Sequence, residues 1–446
     1  MANGTTKITR TFGTPTDRDK WTLSMWLKLS QIQEQGIFHA HIDANNYFNL
    51  EFGTNGKLTL YDKLASATSA LMVTDRLFRD FSAWYHLVIS WDSGNATPGE
   101  RVIFWVNGVR ETDFSTETYP AQDADSAVNG ANLHEIGAKL GSYDFAGDMS
   151  WVQFVDGSVL TPTSFGSTDA TSGIWKIKPS AYGTPGNNGF TLAMQDRSNL
   201  DLDTSSNAAT FATTGTLTAT YDNPSNNFAT LNSLDNYFPS ATFTQGNNTV
   251  AQGTSVYAPN LSTFGMSAGK WYWEIKCIDV SGGTDHQIGI SGTQATAANQ
   301  ELGNFDDGWA YYAYNGQSRN SNTGTAYGNT YAVDDIMAVA LDLTNNKLYF
   351  AKNNTWQNSG VPTSGATGTG ALSITAPAST PLGAYFAGVS YWGAFGTFSM
   401  NFGNGYFGTT AVTSAEADGA GIGAFEYAPP TGYYALCTKN IKAYGG

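Results

Sequence analysis

From Trp21 onward, apolar and polar residues alternate in short runs: "WTLSMWLKLS" (21–30), "GIFHAHI" (36–42), "YFNLEF" (47–52), "KLTLYD" (57–62), "WYHLVISWD" (84–92) and "RVIFWVNG" (101–108). Each run has strand length, a period near two, and Gly, Asn or Asp at its borders, a pattern that predicts antiparallel sheets with one face on a core. In the first run Trp21, Leu23, Met25, Leu27 and Leu29 share a face, opposite Thr22, Ser24, Trp26, Lys28 and Ser30. Trp26 is the one residue out of keeping with a polar face.

The pattern stops at "DNPSNNFATLNSLDNYFP" (222–239), which has no period able to sustain a helix or a strand. It restarts at "GKWYWEIKCID" (269–279) and continues through "HQIGIS" (286–291), "GWAYYAYNG" (308–316), "DDIMAVALDLTNNKLYFAKNN" (334–354), "YFAGVSYWG" (385–393) and "GTFSMNFG" (396–403). "DLTNNKLYF" reads as a hairpin, two apolar strands around an Asn-Asn turn. A length of 446 residues exceeds what one core usually organises. The expectation is an all-β chain of two antiparallel sandwiches: one over 1–221, an Asn/Pro-rich connector with first strands over 222–256, and a second sandwich with a C-terminal tail over 257–446. Pro224 and Pro239 would deny ladder hydrogen bonds in the connector, making it a hinge or a packed joint.

Composition agrees with many strands and few helices: 49 Gly, 25 Phe, 23 Tyr and 12 Trp beside 13% charged residues. The formal charge is −15, from 22 Lys and Arg against 37 Asp and Glu, with no basic cluster. Nucleic acid and anionic membrane surfaces are therefore disfavoured as partners. Cys277 and Cys437 are too few and too distant for a disulfide scaffold or a cysteine zinc site. "MANGTTKITRTFGTPTD" lacks the apolar core of a secretory signal, and no run reaches the ~20 apolar residues of a membrane helix, so a chain without its own export signal or membrane insertion is expected.

In the first half, "WTLSMWLKL", "WYHLVISWD", "VIFWVNGV" and "FAGDMSWVQFVDGSVLTPTSFG" resemble, in that order over residues 15–166, the laminin-G-like, concanavalin-type jelly roll, with "GFTLAMQD" (189–196) adding to it. The resemblance implies glycan or protein binding, often with calcium, and in some members glycanase activity. In the second half, "GKWYWEIK", "HQIGIS", "VALDLTNNKLYF" and "FSMNFG" resemble the SPRY domain over about 257–407, which implies a binding module with loops at one end and no catalytic machinery. Over the whole chain, "SFGSTDATSGIWKIKPSAYGTPGNNGFTL", "DNPSNNFATLNSLDNYFP" and "YAPPTGYYALCTKN" resemble bacteriophage virion proteins, frequent in marine phages, that place a laminin-G-like sandwich before a SPRY-like one.

A retaining glycanase needs two carboxylates converging on one sugar bond, as in ExDxxE, and the aromatic strands carry no such pattern. Asp201 and Asp203 in "LDLDTSS" have no third acid and read as turn caps, and Glu274 reads as a strand residue. His39 and His41 fall on one strand face, with Asp43 nearby, without a third and fourth metal ligand. Asp43, Asn45 and Asn46 offer oxygen ligands on a loop, so calcium is the cation this chemistry suits, and no other cofactor is implied. In the second half Tyr312, Tyr314, Asn354, Trp356 and Trp392 put aromatic faces beside amides, the combination expected of a glycan or protein epitope reader. Trp309 and Tyr311 read as core.

The expected function is non-enzymatic: a fibre, tail or capsid-decoration component on the virion surface, adhering to host-surface glycans or proteins. It would contact other virion proteins and form a homo-oligomer in the particle. The competing readings are a glycan depolymerase on the first sandwich, a purely structural decoration or cement protein, and an intracellular SPRY-type adaptor.

Overall fold

The computed structural model describes residues 6–139, 143–171, 173–179, 182–236, 241–252, 258–280, 286–391 and 396–445. The chain forms two compact units, Met1–Ala219 and Thr220–Gly446. Each is an antiparallel β-sandwich, and among the described residues the one α-helix is Thr438–Tyr444.

In the first unit an eight-stranded sheet runs, edge to edge, through Phe114–Thr118, Ala67–Leu77, Lys57–Leu64, Asn46–Phe52, Gln35–Asp43, Leu133–Ile136, Lys7–Thr11 and Ala212–Thr214. The second sheet has six strands: Phe190–Leu192, Gly147–Asp156, Lys20–Leu29, Tyr85–Asp92, Val102–Val106 and Val109–Arg110. One hydrophobic cluster draws on both. Trp21 stacks on Trp91 at 5.6 Å and meets Phe48 edge-on at 5.8 Å. Both cysteines are buried and free, so packing replaces cross-links, at ~2–3 kcal/mol for each large side chain removed from water.

Trp26, which breaks the polar face in the sequence, is only 3% exposed. The outer face of its sheet is covered by the segment that follows Asp156: Phe165, Leu160 and Tyr182 pack on Val88 and Val155. Trp26 stacks on His86 at 4.7 Å, and His86 stacks on Trp175. Trp175 lies flat on two backbones, where a Cβ at Gly108 or Gly166 would come within 2.7 or 2.4 Å of its ring. Only glycine permits that approach. Strand Lys20–Leu29 is thus buried on both faces, which alternation alone did not predict.

In the second unit a nine-stranded sheet follows the order Thr242–Thr244, Thr249–Gln252, Gly396–Asn401, Lys270–Asp279, Ile336–Asp342, Lys347–Lys352 and Thr355–Trp356, with Leu372–Ser373 and Tyr434–Ala435 pairing off this path. The facing sheet has six strands: Asn260–Met266, Tyr385–Ser390, Gln287–Ser291, Gly308–Tyr312, Gln317–Asn320 and Thr323–Ala326. Trp271, Trp273 and Ile275 point into the core with Tyr311, Phe350 and Phe398. The intervening Tyr272 points outward, into a second apolar layer with Tyr349, Phe425, Tyr433, Cys437 and Phe228. The chain beyond the last long strand therefore forms a strap over the outer face of the nine-stranded sheet.

Of the hinge and the packed joint expected at residues 222–256, that layer shows the packed joint for the stretch from Asn223 to Leu231. Asn223 and Asn226 close a turn around Pro224, Phe228 bridges to Cys437, and Leu231 bridges to Ser262. Phe228, Ala229 and Leu231 are buried, so this stretch is an ordered part of the second unit. Polar residues mark its turns, and its buried apolar residues follow no period because Phe228 and Ala229 meet Leu436–Cys437 while Leu231 meets Ser262. Pro239 lies outside the described residues.

Candidate binding site

Strand directions decide which loops of the second unit meet. Tyr312, ending one strand, lies opposite Gln287, which begins the next, and Ser390, ending a third, is also opposite Gln287. In the other sheet Ile336 starts opposite Lys276, and Met337 pairs with Lys352 near its strand's end. Residues 313–316, 327–335 and 353–354 therefore all leave the sandwich at one end.

Backbone and side-chain bonds lace these loops. Ala313 N–H donates to the His286 carbonyl at 2.9 Å, Tyr331 N–H to the Ala313 carbonyl at 3.1 Å, and Gly328 N–H to the Gly316 carbonyl at 2.9 Å. Lys352 donates to the Thr330 carbonyl and pairs with Asp335, both at 2.9 Å. Asn353 donates to Asp335 at 2.7 Å and accepts the Ile336 N–H. Bonds to Lys352, Asn353 and Ala332 hold the Asp335 carboxylate below its ordinary pKa despite partial burial, so it is anionic at neutral pH.

On this fixed frame Tyr314 stands out, 65% exposed, with the exposed apolar Val333 on a neighbouring loop. Asn354 is exposed in the left-handed region at the turn into Thr355–Trp356. Sequence reasoning found Tyr314 and Asn354 but missed Val333 and the Asp335–Lys352–Asn353 brace. The acidic start of "DDIMAVALDL" was the one available signal for the brace.

The other expected binding residues stand elsewhere. Tyr312 is 4% exposed. Its hydroxyl meets Glu301, Arg319 and the Gln287 side chain, so it fixes the loop carrying Glu301 instead of meeting a ligand. Burial and the Glu301 carboxylate both push its pKa upward. Trp356 is half-buried, edge-on to Tyr349 at 6.4 Å in the outer apolar layer. Trp392 lies outside the described residues. Tyr311 is core as expected, while Trp309 is half-buried.

In the first unit, His39 and His41 share a strand face with ring centroids 5.7 Å apart and planes 28° apart. His39 Nδ1 lies 2.8 Å from the Phe48 carbonyl and 2.6 Å from the Asn49 side-chain oxygen, two acceptors that place the proton on Nδ1. Among the described residues no three His, Cys, Asp or Glu side chains gather to hold a metal.

The Asp43 loop is closed by hydrogen bonds of its own. Asp43 accepts the Asn45 N–H at 2.7 Å and both of its oxygens face the Asn46 side-chain amide, at 2.9 and 3.0 Å. The Asn46 amide oxygen accepts the Ala65 N–H at 2.8 Å. The side-chain oxygens of Asp43 and Asn46 thus help close a hairpin, and Asn46 offers Asp43 a donor.

The six-stranded sheet carries a serine–histidine pair on its covered outer face. Ser24 Oγ is 2.9 Å from His86 Nε2, while Trp175 donates its indole N–H to His86 Nδ1 at 2.9 Å. Because Nδ1 accepts, Nε2 carries the proton and donates to Ser24. Such an imidazole does not withdraw a proton from the hydroxyl, and burial pushes its pKa down to about 3. Asp203 accepts the Thr191, Ser205 and Ala209 N–H groups, as a turn cap does.

The two sandwiches define a modular β protein with an ordered loop surface on its second unit. Residues 3–164 match the family model described as the concanavalin A-like lectin/glucanases superfamily, and residues 270–383 match that of the SPRY domain. The chain is similar to the SPRY domain of human HERC1, at 14% identity over 36% of this chain and 91% of that one, with a TM-score of 0.28. It is similar to a heptameric SAP-like pentraxin from Limulus polyphemus, at 16% identity over 36% of this chain and 74% of that one, also with a TM-score of 0.28. No curated protein sequence matches the chain. Among the described residues no helix is long and apolar enough to cross a membrane.

Proposed function

We propose that the protein is a non-enzymatic recognition component of a phage virion surface, adhering to host-surface glycans through the loop end of its second unit. The carrying observation is Tyr314, an aromatic side chain exposed on a hydrogen-bonded frame, at the same end of the sandwich as Val333 and Asn354. A phenol ring stacks on the apolar face of a sugar while nearby amides bond its hydroxyls, and a frame ordered beforehand reduces the entropy lost on binding. The two domain matches favour a binding role, and the net charge of −15 disfavours nucleic acid. The virion setting rests on the sequence resemblance, with other virion proteins and further copies of the chain as neighbours in the particle.

The test is retention of host polysaccharide on a glycan array by purified protein and by virions, comparing wild type with Tyr314→Ala. Retention that falls about tenfold in the variant, with melting unchanged, supports the reading. Absence of retention in every assembly state would remove adhesion and favour a decoration role, and release of reducing ends would favour a depolymerase.

A further inference from the structure

The strand Phe114–Thr118 is the edge of the eight-stranded sheet, and Val109–Arg110 is the edge of the six-stranded one. The chain joining them borders a half-open cavity of about 150 Å³. Its apolar lining comes from Val102, Phe104 and Phe114, with the two phenylalanine rings edge-to-face at 5.5 Å. Its polar lining includes Arg110, Glu111, Glu117 and Tyr119.

Charge in this lining is unbalanced. Arg110 is matched by Glu100 at 2.9 Å, and Glu111 is matched by Arg76. Glu117 pairs in register with Met72, a core residue, and so stands on the interior-facing side of its strand. It accepts the Tyr119 hydroxyl at 3.1 Å and has no cationic partner among the described residues. An inward charge blunts edge-to-edge pairing of strands, but that task does not require an aromatic-walled cavity beside it. The volume is below the ~300 Å³ of ordinary small-molecule sites and suits one side chain or one short ligand.

We propose that this cavity binds a primary alkylammonium group, with the hydrocarbon stem against Phe104 and Phe114 and the charged head between the Glu117 carboxylate and the Tyr119 ring. A lysine side chain has this form, a compact charge on a flexible four-carbon stem. So has a free aliphatic amine. The ring face and the carboxylate both favour a cation, while the chain's net charge of −15 attracts basic partners. The site lies on the first unit and does not depend on the adhesion reading.

The experiment is saturation-transfer NMR on the full chain with butylammonium, the uncharged isostere 1-butanol, and a short peptide containing one lysine. Transfer to butylammonium is expected, with about tenfold weaker binding after Glu117→Gln and none detected for 1-butanol. Glu117 is exposed, so the variant keeps its fold, which circular dichroism checks. Tyr314→Ala leaves the signal unchanged. Equal binding by Glu117→Gln, equal transfer to 1-butanol, or no transfer to either amine would overturn the proposal. Tighter binding of the peptide than of butylammonium assigns a protein lysine as the occupant, and the reverse assigns a free amine.

Discussion

Glu274 accepts the backbone N–H of Tyr427 at 2.8 Å, joining a central strand to a strap 153 residues away in the chain. The same carboxylate accepts the Glu426 N–H, the Tyr272 hydroxyl and the Asn401 amide. Every acceptor site is used, yet burial dominates and pushes its pKa up to about 7.

This fixes a pH dependence. The folded value lies above the unfolded value of ~4.3, so the folded state holds the extra proton between the two. The group's contribution is fully present below about pH 4, and it is lost as pH rises through about 7, by roughly 4 kcal/mol at most. Glu274→Gln should flatten that part of the stability–pH curve, as denaturant titrations between these limits would measure. An unchanged slope would show that Glu274 stays ionised.

The histidine beneath Trp175 has the opposite sign. Its folded pKa of about 3 lies below the unfolded value of ~6.5, so stability is lost as pH falls through that interval. Trp175→Phe removes the donor to His86 Nδ1 and part of the indole packing on Gly108 and Gly166. A loss of about 1–3 kcal/mol is expected at neutral pH, from leaving a buried acceptor unsatisfied. With that acceptor free to take a proton, acid sensitivity should lessen, and melting at two pH values tests both effects.

Tyr312 and Tyr314 are two residues apart and should behave as opposites. Tyr312→Phe deletes a buried hydroxyl that meets Glu301, Gln287 and Arg319, and should cost about 1–3 kcal/mol by leaving those groups short of a partner. Tyr314→Ala should leave stability within about 0.5 kcal/mol, as expected for an exposed position. Chemical denaturation of both variants decides the comparison.

The Asp43 hairpin gives a test of metal binding. Asn46→Ala removes bonds to Asp43 and to the Ala65 N–H, and should cost about 1 kcal/mol at this exposed turn. Calcium should not raise the melting temperature of wild type through this loop. A calcium-dependent rise that Asn46→Ala abolishes would show that the carboxylate prefers a cation to its present donors.

Much of the fold was legible because period-two burial leaves a record along a strand. The runs at Lys20–Leu29, Tyr85–Asp92, Lys270–Asp279 and Ile336–Lys352 are strands, and Asn345 and Asn346 occupy the expected hairpin turn. The candidate site was half legible. Tyr314 and Asn354 sit in polar turns and announce their exposure. Tyr312 reads the same way, and its burial follows from the preceding loop, which brings Leu302 and Glu301 onto it, and from Leu261 and Phe386 of other strands. Trp356 likewise carries no mark of the strap that half-covers it.

The sequence alone determined that two sandwiches form, where their main strands run and that no disulfide scaffold holds them, because alternation, turn residues and cysteine count are local properties. Tertiary structure decided which faces are covered twice, since Trp175 reaching His86 and Phe425 reaching Tyr272 are contacts between distant segments. It also decided that Glu117 stands on the same side of its strand as the core residue Met72, at the rim of a cavity, because strand register sets the side on which a residue stands.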